Sequence, residues 1–410
     1  MPFDLRGWLP FCLLLAPFIY SNDNSNYRAY EVLAVGITIA VLALLTPLRM
    51  RRQAEWFIVG GYALLLIIQQ LALTYGSIRF GAQYALVMIF AFAPAWAVHS
   101  IQWRPQDFAI SWDFAIRLAS AFLLVNLVGS RLFGFGEIAS GMQGQRYFGF
   151  LGDSISPILA FPLLYFLVRR QFLWVSAMGL GMLLTGGKAA LVMLVVALCL
   201  MLLTKTPWLV RLASLPVFIF VGAFASPKIM ALLGSPAVQY SWNTRLLSYE
   251  LGWRLFLKSP VFGVGINQSM VNLAPQADAL AGSRGMTRYW IVGQIHNAFI
   301  RTMAETGVLG LIALLSLCVL LSARAFVALE RVQSTPSAAA RGIIVAGSVW
   351  TIAFITTYQS VGWFEHGHPQ LAWLLLISST SYAASQLYRN QPTPKRWAPA
   401  RQPPAMQRAG

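Results

Sequence analysis

Apolar residues run through this chain in blocks, and the short stretches between the blocks hold most of the charge. A helix needs about 20 apolar residues to cross the hydrocarbon core, somewhat fewer when neighbours help. Twelve blocks qualify: 7–20, 29–48, 56–75, 82–101, 114–134, 157–168, 172–186, 189–204, 212–226, 298–322, 343–360 and 370–388. They predict an all-α fold, a polytopic membrane helix bundle of about twelve transmembrane helices. Only one connection is long, the loop at 227–297. A loop of that length is functional or disordered, and its tryptophans and its Gly-x-Gly turn argue for order.

Within that loop the pattern changes. Leu247, Leu251 and Leu255 recur every four residues, which reads as an amphipathic helix. Arg245, Tyr249, Gly252 and Phe256 fall on a different side of it. Glu250, Arg254 and Lys258 form an i, i+4, i+8 ladder that partly satisfies itself. Arg245 has no acid at helical spacing. Pro260 is expected to end the helix, with Gly263 and Gly265 making a turn. The loop then runs into HNAFIRTMAETGVLGL, residues 296–311. At 100° per residue, His296, Met303, Gly307 and Gly310 share one side of that helix. Small residues there predict a close approach by another membrane helix.

Composition agrees with the blocks. Of 410 residues, 58% are hydrophobic and 10% charged, with a mean hydropathy of +0.63. Soluble domains have about 25% charged residues. The net charge of +17 invites a nucleic-acid partner, but the basic residues are scattered between apolar blocks, so no nucleic acid is expected. Basic residues instead set orientation. Arg6, the RMRR run at 49–52, Arg104, Arg117, Arg169, Arg170, Lys205, Arg211, Arg324, Arg331, Arg341 and the C-terminal basic residues all fall on one side. That side is taken as cytoplasmic, which puts both termini inside and the 227–297 loop outside. Residues 1–388 then form a single membrane domain, followed by a disordered basic cytoplasmic tail at 389–410. The N-terminal block lacks a small-residue cleavage site and reads as a first span. Cys12, Cys199 and Cys318 lie in apolar blocks and suggest no disulfide framework.

Three places on the outer side carry candidate chemistry. Lys188 in TGGKAAL stands at the end of a membrane hairpin. It either snorkels to the interface or, with glycines before it, meets an anion. Arg245 offers a planar fork of donors suited to phosphate oxygens. His296, followed by Asn297, is suited to take a proton from a hydroxyl near neutral pH. Asn297 also fits a helix cap. Glu305 lies inside the apolar block, and Arg301 four residues earlier predicts a local ion pair. WFEHGHP at 363–369 brings Glu365, His366 and His368 together, but in no defensible zinc spacing, so no metal is expected.

TGGKAAL, NTR…SPVFGVG and HNAFIRTMAETGVLG, in this order and on this side, resemble the superfamily of O-antigen ligases and of O-antigen and exopolysaccharide polymerases. These are bacterial membrane glycosyltransferases of the inner membrane with about a dozen helices and one large periplasmic loop. The resemblance implies an undecaprenyl-diphosphate-linked glycan as donor, a glycan or lipid A-core as acceptor, and no cofactor. It makes His296 the base that activates the acceptor hydroxyl and Arg245 a ligand of the donor diphosphate. Lys188 falls where many ligases carry arginine, which favours polymerisation of repeats over ligation to lipid A-core. Asn297 and Glu305 become supporting residues. Membrane lipids and other polysaccharide assembly proteins are the remaining expected partners. A transporter of an anionic lipid-linked or sugar substrate is the alternative of a different class. It would predict repeats in two halves and charges at the midplane, whereas the long loop occurs once.

Overall fold

The structure, a computed structural model, describes residues 5–15, 54–72, 92–134, 137–141, 144–149, 155–185, 188–202, 236–266, 269, 295, 297–357 and 370–389. The helical class expected from the apolar blocks holds. In chain order the helices are α1 (Leu5–Leu15), α2 (Ala54–Ala72), α3 (Pro105–Phe133), α4 (Ile155–Ile158), α5 (Ala160–Val168), α6 (Phe172–Thr185), α7 (Lys188–Leu202), α8 (Pro236–Lys258), α9 (Ala298–Glu330), α10 (Ala338–Thr357) and α11 (Gln370–Leu387). Residues 92–100 are also helical. Three of these, α3, α9 and α10, are long and apolar enough to cross a membrane by length and composition. The expected spans at 29–48 and 212–226, the WFEHGHP stretch and nearly all of the tail lie outside the described residues.

Two boundaries differ from the apolar blocks, the first for local reasons. α3 begins nine residues ahead of its block, because Pro105 supplies a preset φ at the first position and Asp107 sits in the first turn. It ends on Gly134 in the left-handed conformation at φ 67°, whose N–H reaches Ser130 O. α9 runs past its block to Glu330. One element had no counterpart in the pattern. Strands β1 (Glu137–Gly141) and β2 (Gly144–Gly149) pair antiparallel, with Gly141 opposite Gly144 at the closed end. Glycines bracket a two-residue connection there.

α10 lies at the centre, packed against α5, α7, α9 and α11. Its side chains from Ile343 to Ile355 are almost all buried. Lipid is as apolar as leucine, so helices in a membrane associate through small residues and polar contacts rather than apolar burial. The α10–α11 seam follows that rule. Ser348 and Ser381 share a hydrogen bond at 2.6 Å, and Ser381 donates to Ile344 O at 3.0 Å. A Cβ on Gly347 would stand 2.9 Å from Ser381 Cβ. Trp350 Nε1 donates to Pro157 O at 2.9 Å and ties α10 to α4. Arg117 and Arg169, which the charge pattern puts on one side, meet at Asp113 over 3.0 and 3.2 Å.

Candidate functional site at the α8–α9 crossing

The amphipathic stripe of α8 works as its spacing predicts. Leu247, Leu251 and Leu255 are fully buried, in one cluster with Ile295 and Ala304. Gly252 lets the helices close: a Cβ there would lie 2.6 Å from Ile300 Cγ2. Glu250 takes Arg254 at 2.7 Å on the exposed face, as the ladder predicts. α8 ends at Lys258, and Pro260 opens the turn.

That turn docks on a break in α9. Gly307 has φ 70° and ψ −163° and interrupts the helix. In an unbroken helix, Val308 N–H would bond to Ala304 O and the next amide to Glu305 O. Here Val308 N–H donates instead to Pro260 O at 2.8 Å. Ala304 O receives Val264 N–H at 2.9 Å, and Glu305 O receives Gly265 N–H at 3.0 Å. The turn therefore supplies the bonds that the kink removes, which matters where water cannot. Two backbones touch, and only glycine fits. A Cβ on Gly263 would fall 2.3 Å from Glu305 C, and one on Gly307 2.1 Å from Val261 O. Both also hold φ +70°, a region L side chains avoid. The expectation that Gly307 and Gly310 admit a neighbouring helix is thereby corrected. Gly307 admits the turn, and a Cβ on Gly310 would strike Thr306 Oγ1 of its own helix at 1.7 Å.

Buried polar side chains secure this junction. Glu305 accepts from Arg301 Nε at 3.1 Å and from Ser269 Oγ at 2.5 Å. Both members of the ion pair are about 5% exposed, so the expected local pair is present and deeply placed. Gln69 of α2, 1% exposed, donates its amide to Phe262 O and Glu305 O. It bridges the turn and the kinked helix from a third element.

Above the junction stands the start of α9. Asn297 is extended and caps the helix; its side-chain oxygen accepts Phe299 N–H and Ile300 N–H, both at 3.0 Å. Its side chain also hydrogen-bonds the Tyr249 hydroxyl of α8, and the Arg245 guanidinium lies within electrostatic reach of the same phenol. Burial holds the Tyr249 phenol above its ordinary value, while Arg245 and Asn297 pull it partly back. Arg245 is half-buried and pairs with no carboxylate among the described residues.

The structure thus brings Arg245 and Asn297 together through Tyr249, and seats Glu305 in the junction beneath them. His296 lies outside the described residues, between Ile295, which is 1% exposed, and Asn297. Lys188 opens α7, and its side chain lies outside the described part. Sequence reasoning placed Tyr249 beside Arg245 on α8 but gave it no role. It missed Gln69 and Ser269, which carry no motif. No group of three or more metal-ligating side chains occurs among the described residues. A guanidinium, a phenol and an amide gathered at one helix crossing suit recognition of an anion next to a hydroxyl.

No curated protein matches the chain. Residues 173–315 match the family model described as O-antigen ligase. That stretch opens on α6, takes in α7, α8 and the turn, and closes in α9 beyond the kink. Over residues 173–315, from α6 through the kink of α9, the chain is therefore similar to the O-antigen ligase family.

Proposed function

We propose that this protein moves a glycan from an undecaprenyl-diphosphate carrier to an acceptor hydroxyl on the periplasmic side of the bacterial inner membrane. The observation that carries the reading is Arg245. A half-buried arginine without a carboxylate partner among the described residues stands at the crossing where Tyr249 meets Asn297, the chain neighbour of His296. In the reaction, the acceptor oxygen attacks the anomeric carbon and its proton passes to His296. The bond from that carbon to the diphosphate oxygen breaks, and the lipid diphosphate leaves with the electron pair. Arg245 holds the departing charge by its fork of N–H donors, with Lys188 assisting from the α6–α7 hairpin. Asn297 and Glu305 support the site through the cap and the junction. No step needs a metal or cofactor.

The twelve-span topology, with both termini cytoplasmic and the 227–297 loop periplasmic, belongs to the same proposal. It puts the cations on the face where a translocated lipid diphosphate presents its head. Lysine at 188 favours polymerisation of exopolysaccharide or O-antigen repeats. The description of the matched family favours ligation to lipid A-core. The surface glycans of a strain lacking the gene separate the two. Loss of secreted polymer, or a single repeat on the core, is the expected result. Loss of all long lipopolysaccharide selects ligation, and an unchanged glycan profile contradicts both.

A further inference from the structure

α8 carries two apolar stripes. The first, Leu247, Leu251 and Leu255, is buried against Ile295 and Ala304. The second is Leu246, Trp253 and Leu257, which fall within about 40° of one another at about 100° per residue, roughly 140° round from the first. All three are exposed, Trp253 at 50% and Leu257 at 60%. A helix with one buried stripe places polar residues on its outer face; this one has tryptophan and leucine there. Cations border the exposed stripe on both sides, Arg245 on one, Arg254 and Lys258 on the other. The apolar surface runs on past the end of the helix. Val261 and Phe262 of the following turn are exposed too, and the turn is bonded through Pro260 O to Val308 N–H. From Val308 the exposed apolar surface continues through Leu309, Ile312 and Leu315 of α9, a helix long and apolar enough to cross a membrane.

The kink at Gly307 sets the level at which the two surfaces join. Residues 308–330 of α9 rise about 34 Å at about 1.5 Å per residue, enough by themselves for a hydrocarbon core about 30 Å thick. The part of α9 before the kink, on which α8 packs through Gly252 and Ile300, is therefore left at the membrane surface, and α8 with it. We propose that the Leu246, Trp253 and Leu257 face of α8 is embedded in the lipid interface of the leaflet it borders, as an in-plane anchor for the long loop. The occupant is phospholipid. Acyl chains meet the leucines, and Trp253 lies at headgroup level, where its amphipathic ring is favoured. Arg254 holds Glu250 neutral at 2.7 Å. Lys258, exposed at the same edge, carries its charge to the lipid phosphates along an apolar stem. This placement requires no particular reaction at the site.

The test uses full-length protein in nanodiscs of phosphatidylethanolamine and phosphatidylglycerol without polyprenyl lipid. Cys12, Cys199 and Cys318 are replaced by alanine, and single cysteines are then introduced and labelled with a bimane fluorophore. Leu246→Cys, Trp253→Cys and Leu257→Cys report the stripe. Ile312→Cys is the lipid-facing reference and Arg254→Cys the polar-edge reference. Each stripe variant is measured alone after size-exclusion, so one that misfolds leaves the others to decide. A phospholipid with a nitroxide near the top of its acyl chain should quench the stripe within about twofold of Ile312→Cys, because an interfacial helix buries its apolar face about 5–10 Å into the headgroup and acyl boundary. Iodide in the water should quench the stripe several-fold less than Arg254→Cys. Strong iodide quenching without nitroxide quenching puts the face in water and overturns the inference. Protection from both quenchers means that protein covers the face. Protection from iodide that arises only when a polyprenyl diphosphate is added assigns the face to a donor tail. Either result overturns the inference as well.

Discussion

Arg245 and Arg301 are both half-buried or deeper, yet their surroundings set them to different work. Arg301 is spent on Glu305 inside the α2–α9 junction, whereas Arg245 has no carboxylate partner among the described residues. The sequence held this difference: an acid stands four residues after Arg301 and none stands at helical spacing from Arg245. Breaking a buried pair leaves an uncompensated charge, at a cost of about 3–5 kcal/mol. Glu305→Gln should therefore lower thermal stability in detergent sharply. Glu250→Gln, on the exposed face, removes a pair worth about 0–1 kcal/mol and should do little. Equal shifts for the two would contradict this placement. For activity, Arg245→Ala is expected to slow transfer by roughly 10²–10³. Arg245→Lys should also be poor, since lysine presents a point charge rather than a fork. Lys188→Arg should be the mildest change, and Lys188→Ala worse. Parity of the two Lys188 variants would reduce Lys188 to a snorkelling side chain.

At the scale of elements, the apolar period gave away α8 and its buried face, and the blocks gave away α9 and α10. Two things stayed hidden. The β1–β2 pair is only five and six residues per strand and rich in glycine, too short for alternation to register. The docking of the 259–266 turn on the α9 kink is made of main-chain bonds between segments some forty residues apart, and such bonds leave no side-chain pattern. Their trace in the sequence is glycine: Gly263 and Gly265 read as a turn, whereas Gly307 read as a helix-packing residue and instead holds a positive φ. Gly307→Ala and Gly263→Ala are therefore expected to abolish most of the folded protein recovered by size-exclusion in detergent. Gly310→Ala should be milder, because Gly310 does not share the positive φ of Gly307 and its clash is with the Thr306 side chain of its own helix rather than with a second backbone. Equal recovery of Gly307→Ala and wild type would contradict the interlock. Gln69→Leu should lie between them, leaving two main-chain carbonyls without its amide.

Across the whole molecule, charge and hydropathy made the membrane class legible, and residues 173–315 are similar to the O-antigen ligase family. Lys188 and His296 belong to the hairpin tip and the loop end of the sequence. These segments are polar or glycine-rich and carry no period that fixes a side chain in space. Reporter fusions test the sidedness on which their roles depend. A fusion near Gln276 should be active only outside the cytoplasm, and cytoplasmic activity there would remove His296 from the donor's face. Transfer should also survive a chelator; a loss restored by added Mg²⁺ or Mn²⁺ would contradict a metal-independent mechanism. The most direct measurement is the rate of glycan transfer from a lipid-diphosphate donor by His296→Ala, per folded molecule. A fall of roughly 10²–10⁴ with normal folding and insertion is predicted for a lost general base. Wild-type specific activity in that variant would contradict the account.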